Sequence, residues 1–225
     1  MEQRMSVQEV LGGLEDAVGE EQHRVWSARC ARVLGLDGIA VSMRSGSELV
    51  WFSDDTSAWL EDVQFTLGQG PGVAADFADV PCQVVDLGAD ERWPQFAAEA
   101  GTMGVRAVFV WPVRSGLAHL GNLSGYRTRP GALTQLQAAD GLRVADALAG
   151  WLLAWRPDRD ASGDGPGTTG MIELHRAEVH QATGVLSYRL GIAPDEALAR
   201  LRAQAFASGQ DLADAARDIL RELPS

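Results

Sequence analysis

The chain of 225 residues carries a formal net charge of −12, and all 19 of its cationic residues are arginine. With 46% hydrophobic residues it has apolar mass for one or two folded domains and too much for a disordered chain. The charge excludes a broad basic face that grips nucleic acid through phosphate alone, and no apolar run approaches the roughly 20 residues of a membrane-spanning helix.

Ser6–Leu34 predicts a helix with Val7, Val10, Leu11, Leu14, Val18, Val25 and Val33 as apolar positions. Gly12 and Gly13 weaken its start and Gly35 ends it. Ile39, Val41 and Met43 alternate with small or polar residues and predict a strand. A turn at Arg44–Ser47 leads to a second strand, Glu48–Phe52, making a hairpin. Thr56–Thr66 predicts a helix facing inward through Trp59, Leu60, Val63 and Leu67. The GQGPG stretch, Gly68–Gly72, lacks the lysine and hydroxyl of a phosphate-binding loop and reads as a structural turn. Val73–Ala78 is a short helix or irregular segment, Gln83–Leu87 a third strand and Trp93–Ala100 a short helix. Ala107–Val113 and Gly121–Tyr126 are two further strands joined by RSGLAHL, and Leu133–Trp155 is a closing helix. Helices at both ends of a mostly antiparallel sheet make an α+β domain.

Pro157–Gly170, rich in Gly, Asp, Ser, Thr and Pro, holds nothing to bury and is expected to be a flexible linker. Beyond it lie three amphipathic helical segments. Met171–Leu190 carries Ile172, Val179, Ala182, Leu186 and Leu190 on its apolar face. Pro194–Ala207 carries Ala197, Leu198, Leu201, Ala205 and Phe206, and Asp211–Leu220 carries Leu212, Ala215, Ala216, Ile219 and Leu220. Pro194 suits a first helical turn and Gly209 a left-handed stop. Gly184 inside a helix costs about 1 kcal/mol relative to alanine, which asks for close packing or the close approach of a ligand. The domains expected are 1–156, a linker at 157–170, and an all-α domain at 171–225.

Cys30 and Cys82 are the only cysteines, far apart in sequence, and the four histidines do not fall at zinc-site spacing. No metal, cofactor or catalytic constellation is expected, and the protein reads as a non-enzyme. A dithiol redox enzyme would need Cys82 close to Cys30. The acidic N-terminus lacks the apolar stretch of a secretion signal, so a cytoplasmic location is expected.

The strings HQATGVLSYRLGIAPDEALARLRAQAFASG and DLADAARDIL resemble the ANTAR domain, a three-helix RNA-binding module of bacterial antitermination regulators. LEDVQFTLGQGPG, ERWPQFAAEAGTMGVRAVFVWPV and GNLSGYRTRPGALT resemble the GAF half of bacterial GAF–ANTAR proteins, from about Val7 to Trp155. The resemblance implies a GAF-like sensor and dimerisation domain, a C-terminal three-helix ANTAR domain, and RNA, as tandem hairpin loops, as partner. It implies a signal-responsive regulator of transcription antitermination, homodimeric, with an unidentified small-molecule ligand. The alternative is a dimeric ligand-binding or protein-interaction module whose ANTAR domain does not bind RNA.

The polar residues on which RNA contact is expected are Gln181, Thr183, Gly184, Arg189, Arg202, Ser208, Gln210 and Arg217, because arginine clamps phosphate and amides read base edges. Gln210 and Asp211 depart from the family, which often has a basic residue and a proline there. The resemblance implies a pocket between the sheet and its covering helices, for which the candidates are Trp51, Phe65, Trp93, Phe109, Trp111, Asn122, Ser124 and Tyr126; the alternative is that the rings fill the core and the two polar residues face solvent. The first and last helices of GAF domains often pair, which implies a dimer interface at Trp26, Val33, Trp151 and Trp155.

Overall fold

The structure is a computed structural model of the chain and describes residues 6–14, 20–44, 49–154 and 168–222. These fall into two compact units, an α+β unit followed by a helical one. The α+β unit opens with α1 (Val7–Gly12) and α2 (Glu20–Leu34). Ser6 caps α1 in a reciprocal box with Glu9, and Gly13 ends it, so the single helix expected over Ser6–Leu34 is in fact two. The strands are β1 (Gly38–Met43), β2 (Leu49–Phe52), β3 (Cys82–Val84), β4 (Ala107–Ser115) and β5 (Ala118–Arg127). They form one antiparallel sheet in the order β2-β1-β5-β4-β3. Between β2 and β3 lie α3 (Asp55–Leu67) and α4 (Pro71–Ala78); α5 (Pro94–Thr102) precedes β4, and α6 (Gln135–Ala154) closes the unit.

Strand periodicity divides the sheet into two faces. Ile39, Val41, Trp51, Phe109, Trp111, Val113 and Leu123 point to one face and form the core with α1, α2 and α6. Along α6, Val144, Ala145, Leu148, Ala149 and Leu152 complete that core at helical spacing. Close contact with the sheet depends on Gly141, where a Cβ would overlap the buried Trp111 indole. The other face is covered by α4, packed on β3, β4 and β5.

Three expectations shift. RSGLAHL is mostly strand, a tight hairpin turning at Gly116–Leu117, where Gly116 has φ 60°. The third strand is Cys82–Val84, followed by a tight helical turn at Leu87–Ala89. In α3 the buried residues are Ser57, Ala58, Leu60, Glu61, Gln64 and Phe65, while Trp59, Val63 and Leu67 are half-exposed. The polar members of that inward face have partners on it, which is what lets them override the apolar pattern. The turn expected at Arg44–Ser47 lies, past Arg44, outside the described residues.

The helical unit comprises α7 (Thr168–Leu190), α8 (Pro194–Ser208) and α9 (Leu212–Arg221). The expected linker lies outside the described residues as far as residue 167; from Thr168 the chain is helical. Gly191 and Gly209, at φ 63° and 64°, reverse the chain after α7 and α8. Asp211 caps α9 by accepting from the Ala213 N–H at 2.8 Å. The core is small: Val179, Ala182, Ala197, Leu201, Ala205, Leu212, Ala215, Ala216 and Ile219, which lets the three helices approach closely. Phe206, expected in that core, is instead 76% exposed, because Ala197, Leu201 and Ala205 alone define the inner edge of α8.

Gly141→Ala should destabilise the α+β unit by about 1–3 kcal/mol, since the indole has nowhere to move. Gly101→Ala, on an open stretch of α5, should leave stability unchanged or raise it. Urea unfolding midpoints of the two variants check this.

Candidate functional sites

The eight residues expected to line one pocket are divided by the sheet. Trp51, Phe109 and Trp111 belong to the apolar core beneath α1, α2 and α6. Asn122, Ser124 and Tyr126 alternate with Leu123 and point to the opposite face. Phe65 is buried on α3, and Trp93 precedes α5 with the Arg92 guanidinium 4.3 Å above its ring. A single aromatic pocket is therefore replaced by an aromatic core and a separate polar face.

That polar face is built around backbone approaches made possible by glycine. Gly70 has φ 138°, and a Cβ there would press on Gln64. The Gln64 amide oxygen accepts from the Gly72 N–H at 2.6 Å, and its Nε2 donates to Glu61 at 3.0 Å. Asn122 Nδ2 donates to Asp76 at 2.9 Å and to the Gly72 carbonyl at 3.4 Å. His119 Nε2 lies 3.4 Å from Asp76 and its Nδ1 3.4 Å from Asp79, while Arg114 reaches the same Asp79 at 3.0 Å. Asp79 holds the left-handed cap of α4 at φ 54°, a conformation that aspartate tolerates better than most residues. Ser124 Oγ is buried and makes no hydrogen bond among the described residues. At the far end, the Tyr126 hydroxyl donates to Asp54 Oδ1 at 3.0 Å; Asp54 also accepts from the Ser53 hydroxyl and from the Ser57 N–H. A Cβ on Gly38 would strike both Asp54 and Tyr126. Sequence reading missed Glu61, Gln64, Asp76, Asp79, Arg114 and His119; the glycine-spaced GQGPG turn was the available signal.

The thiols cannot act as a pair. Cys30 is buried on α2, against one face of the sheet. Cys82 stands on β3 opposite Val110, which shares the other face with Ser124. Burial pushes both thiols up, away from the reactive thiolate. Among the described residues no group of His, Cys, Asp and Glu is placed to hold a metal ion.

Of the expected dimer residues, Trp26 lies in the core, and Val33 and Trp151 are half-buried against it. Trp26 is 4% exposed and donates from its indole to the Val10 carbonyl at 2.9 Å. Val33 packs on the core, and Trp151 lies 4.0 Å from the Trp51 ring. Trp155 lies outside the described residues.

In the helical unit, the residues expected to meet RNA have divergent placements. Thr183 is buried and donates to the Val179 carbonyl at 2.7 Å, so it does not face solvent. Arg217 bridges Glu178 and Asp214 at 3.2 and 2.9 Å, tying α9 to α7. Ser208 donates to the Gln204 carbonyl, and Gln210 donates to Asp218. Arg189 reaches the Glu222 carbonyl at 3.1 Å. Arg202 follows the buried Leu201 on α8. Gln181 and Gly184 remain exposed and share an α7 stripe with Tyr188, itself 91% exposed. Among the described residues a Cβ on Gly184 would meet nothing within 4 Å, so no packing among them requires that glycine.

The ANTAR domain family model matches residues 174–220. No curated protein matches the chain. Among solved structures, the GAF domain of a phosphoenolpyruvate-protein phosphotransferase from Coxiella burnetii is 14% identical, with a TM-score of 0.53, over 66% of this chain and 90% of that one. The corresponding domain from Acinetobacter is 11% identical, with a TM-score of 0.52, over 71% and 95%. The α+β unit has the GAF fold. No described helix is long and apolar enough to cross a membrane.

Burial and the neighbouring Asp54 carboxylate push the Tyr126 phenol up to about 12. The folded chain therefore holds this proton more tightly than the unfolded chain. Its contribution to stability is complete below about pH 10 and is lost as pH rises through the folded value. Tyr126→Phe should remove the late tyrosinate step from an ultraviolet titration and lessen the alkaline fall in stability.

Proposed function

We propose that this chain, which joins a GAF-fold unit to an ANTAR domain, is a cytoplasmic, homodimeric regulator that binds tandem hairpin RNA and favours antitermination. The observation that carries the reading is Gly184. A glycine in the middle of α7 costs about 1 kcal/mol, and among the described residues a Cβ there would meet nothing within 4 Å. Its use is toward a partner that must come close to the helix backbone. Tyr188 and Gln181 flank it on the same exposed stripe, giving one ring on which a loop base stacks and one amide that reads a base edge. Phosphate contact falls to Arg189 at the end of α7, which is shared with Glu222, so affinity rests on few charges and a shallow salt dependence follows.

The polar face of the GAF unit is the place for a small-molecule signal. The Ser124 hydroxyl, buried beside Asn122 and Tyr126 and without a hydrogen bond among the described residues, supports a ligand with hydrogen-bonding groups. Signal passes only if the ligand binds the RNA-competent and RNA-incompetent states with different affinity. The location of the two thiols on opposite faces of the sheet supports a regulator over a dithiol enzyme.

A second reading, in which the ANTAR domain does not touch RNA, is favoured by the net charge of −12 and by the ion pairs holding Arg189 and Arg217. Titrating the full chain with tandem hairpin RNA separates the two. Tyr188→Ala should weaken binding by about 1–3 kcal/mol. Gly184→Ala should raise thermal stability while weakening RNA binding, a combination that a structural glycine would not give. If the wild-type chain retains no RNA at low salt, the second reading stands.

A further inference from the structure

The two ends of α4 are held to the α+β unit by different chemistry. At its start the bonds are neutral: Gly72 donates its N–H to the Gln64 amide oxygen at 2.6 Å, and its carbonyl accepts from Asn122 Nδ2 at 3.4 Å. At its end the contacts are between charges. Asp79, the left-handed cap, meets Arg114 of β4 at 3.0 Å through one carboxylate oxygen and the His119 ring of β5 at 3.4 Å through the other. Asp76, one turn earlier, lies 3.4 Å from the same ring.

The His119 side chain is only 4% exposed, and the polar atoms described around its two nitrogens are all acceptors. Nε2 is 2.8 Å from the Gly121 carbonyl oxygen and 3.2 Å from Asn122 Oδ1. Asn122 Nδ2 donates to Asp76, so Oδ1 is the amide atom that the ring meets. The proton of a neutral ring therefore belongs on Nε2. Nδ1 would then turn a bare lone pair toward Asp79 Oδ1, and both of these atoms are buried with no hydrogen bond among the described residues. A second proton, on Nδ1, turns that repulsion into attraction. The carboxylates of Asp76 and Asp79 against the one guanidinium of Arg114 leave one negative charge, which the imidazolium cancels. The other strand packed on α4, β3, brings Cys82, which pairs with Val110, four residues along β4 from Arg114.

We infer that His119 is a proton-operated latch on the end of α4. While the ring carries both protons, it ties the Asp79 end to the β4–β5 hairpin. When Nδ1 loses its proton as pH rises, that end is released, and the Gly72 end, held by neutral bonds, stays in place. Histidine is the side chain whose charge changes within the physiological pH range. The fold thereby couples pH to the cover over the sheet face that carries Asn122 and Ser124. That the uncovered face receives a signal rests on the reading of the polar face given above; the latch itself does not.

The test follows two amides of the full chain by hydrogen exchange, corrected for intrinsic rate, between about pH 5.5 and 8.5, a range in which histidine titrates and aspartate does not. The Asp79 N–H, bonded to the Ala75 carbonyl at 2.8 Å, reports the latched end, and the Gly72 N–H reports the other. Protection at Asp79 should fall about fivefold or more as pH rises, in step with the His119 ring resonances, while protection at Gly72 holds. His119→Gln and Asp79→Asn should each flatten the Asp79 response. Asparagine suits a left-handed cap as aspartate does, so the second variant answers even where the first does not fold. Protection at Asp79 that ignores pH, a fall that survives either variant, or a fall shared equally by Gly72 would overturn the inference. No ligand enters the measurement, so each of those results leaves the reading of the signal site standing.

Discussion

Every inward residue of β5 has neighbours that must point the other way. Leu123 enters the core, so Asn122 and Ser124 cannot. The same rule runs through β1 and β4 and fixes which chemistry is available on which side of the sheet. One side is closed by apolar packing beneath α1, α2 and α6. The other receives α4 with its carboxylates, the GQGPG turn and the bonded side chains of Glu61, Gln64 and Asn122. That division keeps Cys30 from Cys82, separates the ring of Trp111 from that of Tyr126, and makes a buried polar surface compatible with a well-packed domain.

Glycine serves opposite purposes on the helices that matter here. At Gly141 it removes a Cβ that would collide with Trp111, and the helix sits closer to the sheet for it. At Gly150 and Gly184 a Cβ would meet nothing within 4 Å among the described residues. The former is a requirement of folding. The latter two, like Gly101, weaken their own helices without relieving such a collision. Sequence alone cannot tell these cases apart, because all three stand in similar amphipathic surroundings.

The fold class, the strand order along the chain and the three-helix unit were legible in the sequence because they rest on periodicity and on turn residues such as Gly191 and Gly209. The two-residue turn at Gly116–Leu117 was read as a longer loop because His119 and Arg114 look like loop residues, yet both turn toward the carboxylates of α4. The site was less legible than the fold. Trp26, Trp51 and Trp151 carry no mark that separates a core ring from a pocket or interface ring. Nor did Thr183 or Arg217 announce that one is buried and the other spent on Glu178 and Asp214. The inward face of α3 was misread because Glu61 and Gln64 satisfy one another there.

The aromatic cluster around Trp51 has an optical consequence. His23, Trp26 and Trp151 lie 4.4, 5.1 and 4.0 Å from it, ring centre to ring centre. Indoles this close share their electronic transitions, so absorbed light is not confined to one ring. The coupled chromophore spans α2, β2 and the last turn of α6, which gives the molecule an intrinsic circular-dichroism probe of how firmly that terminal turn is seated.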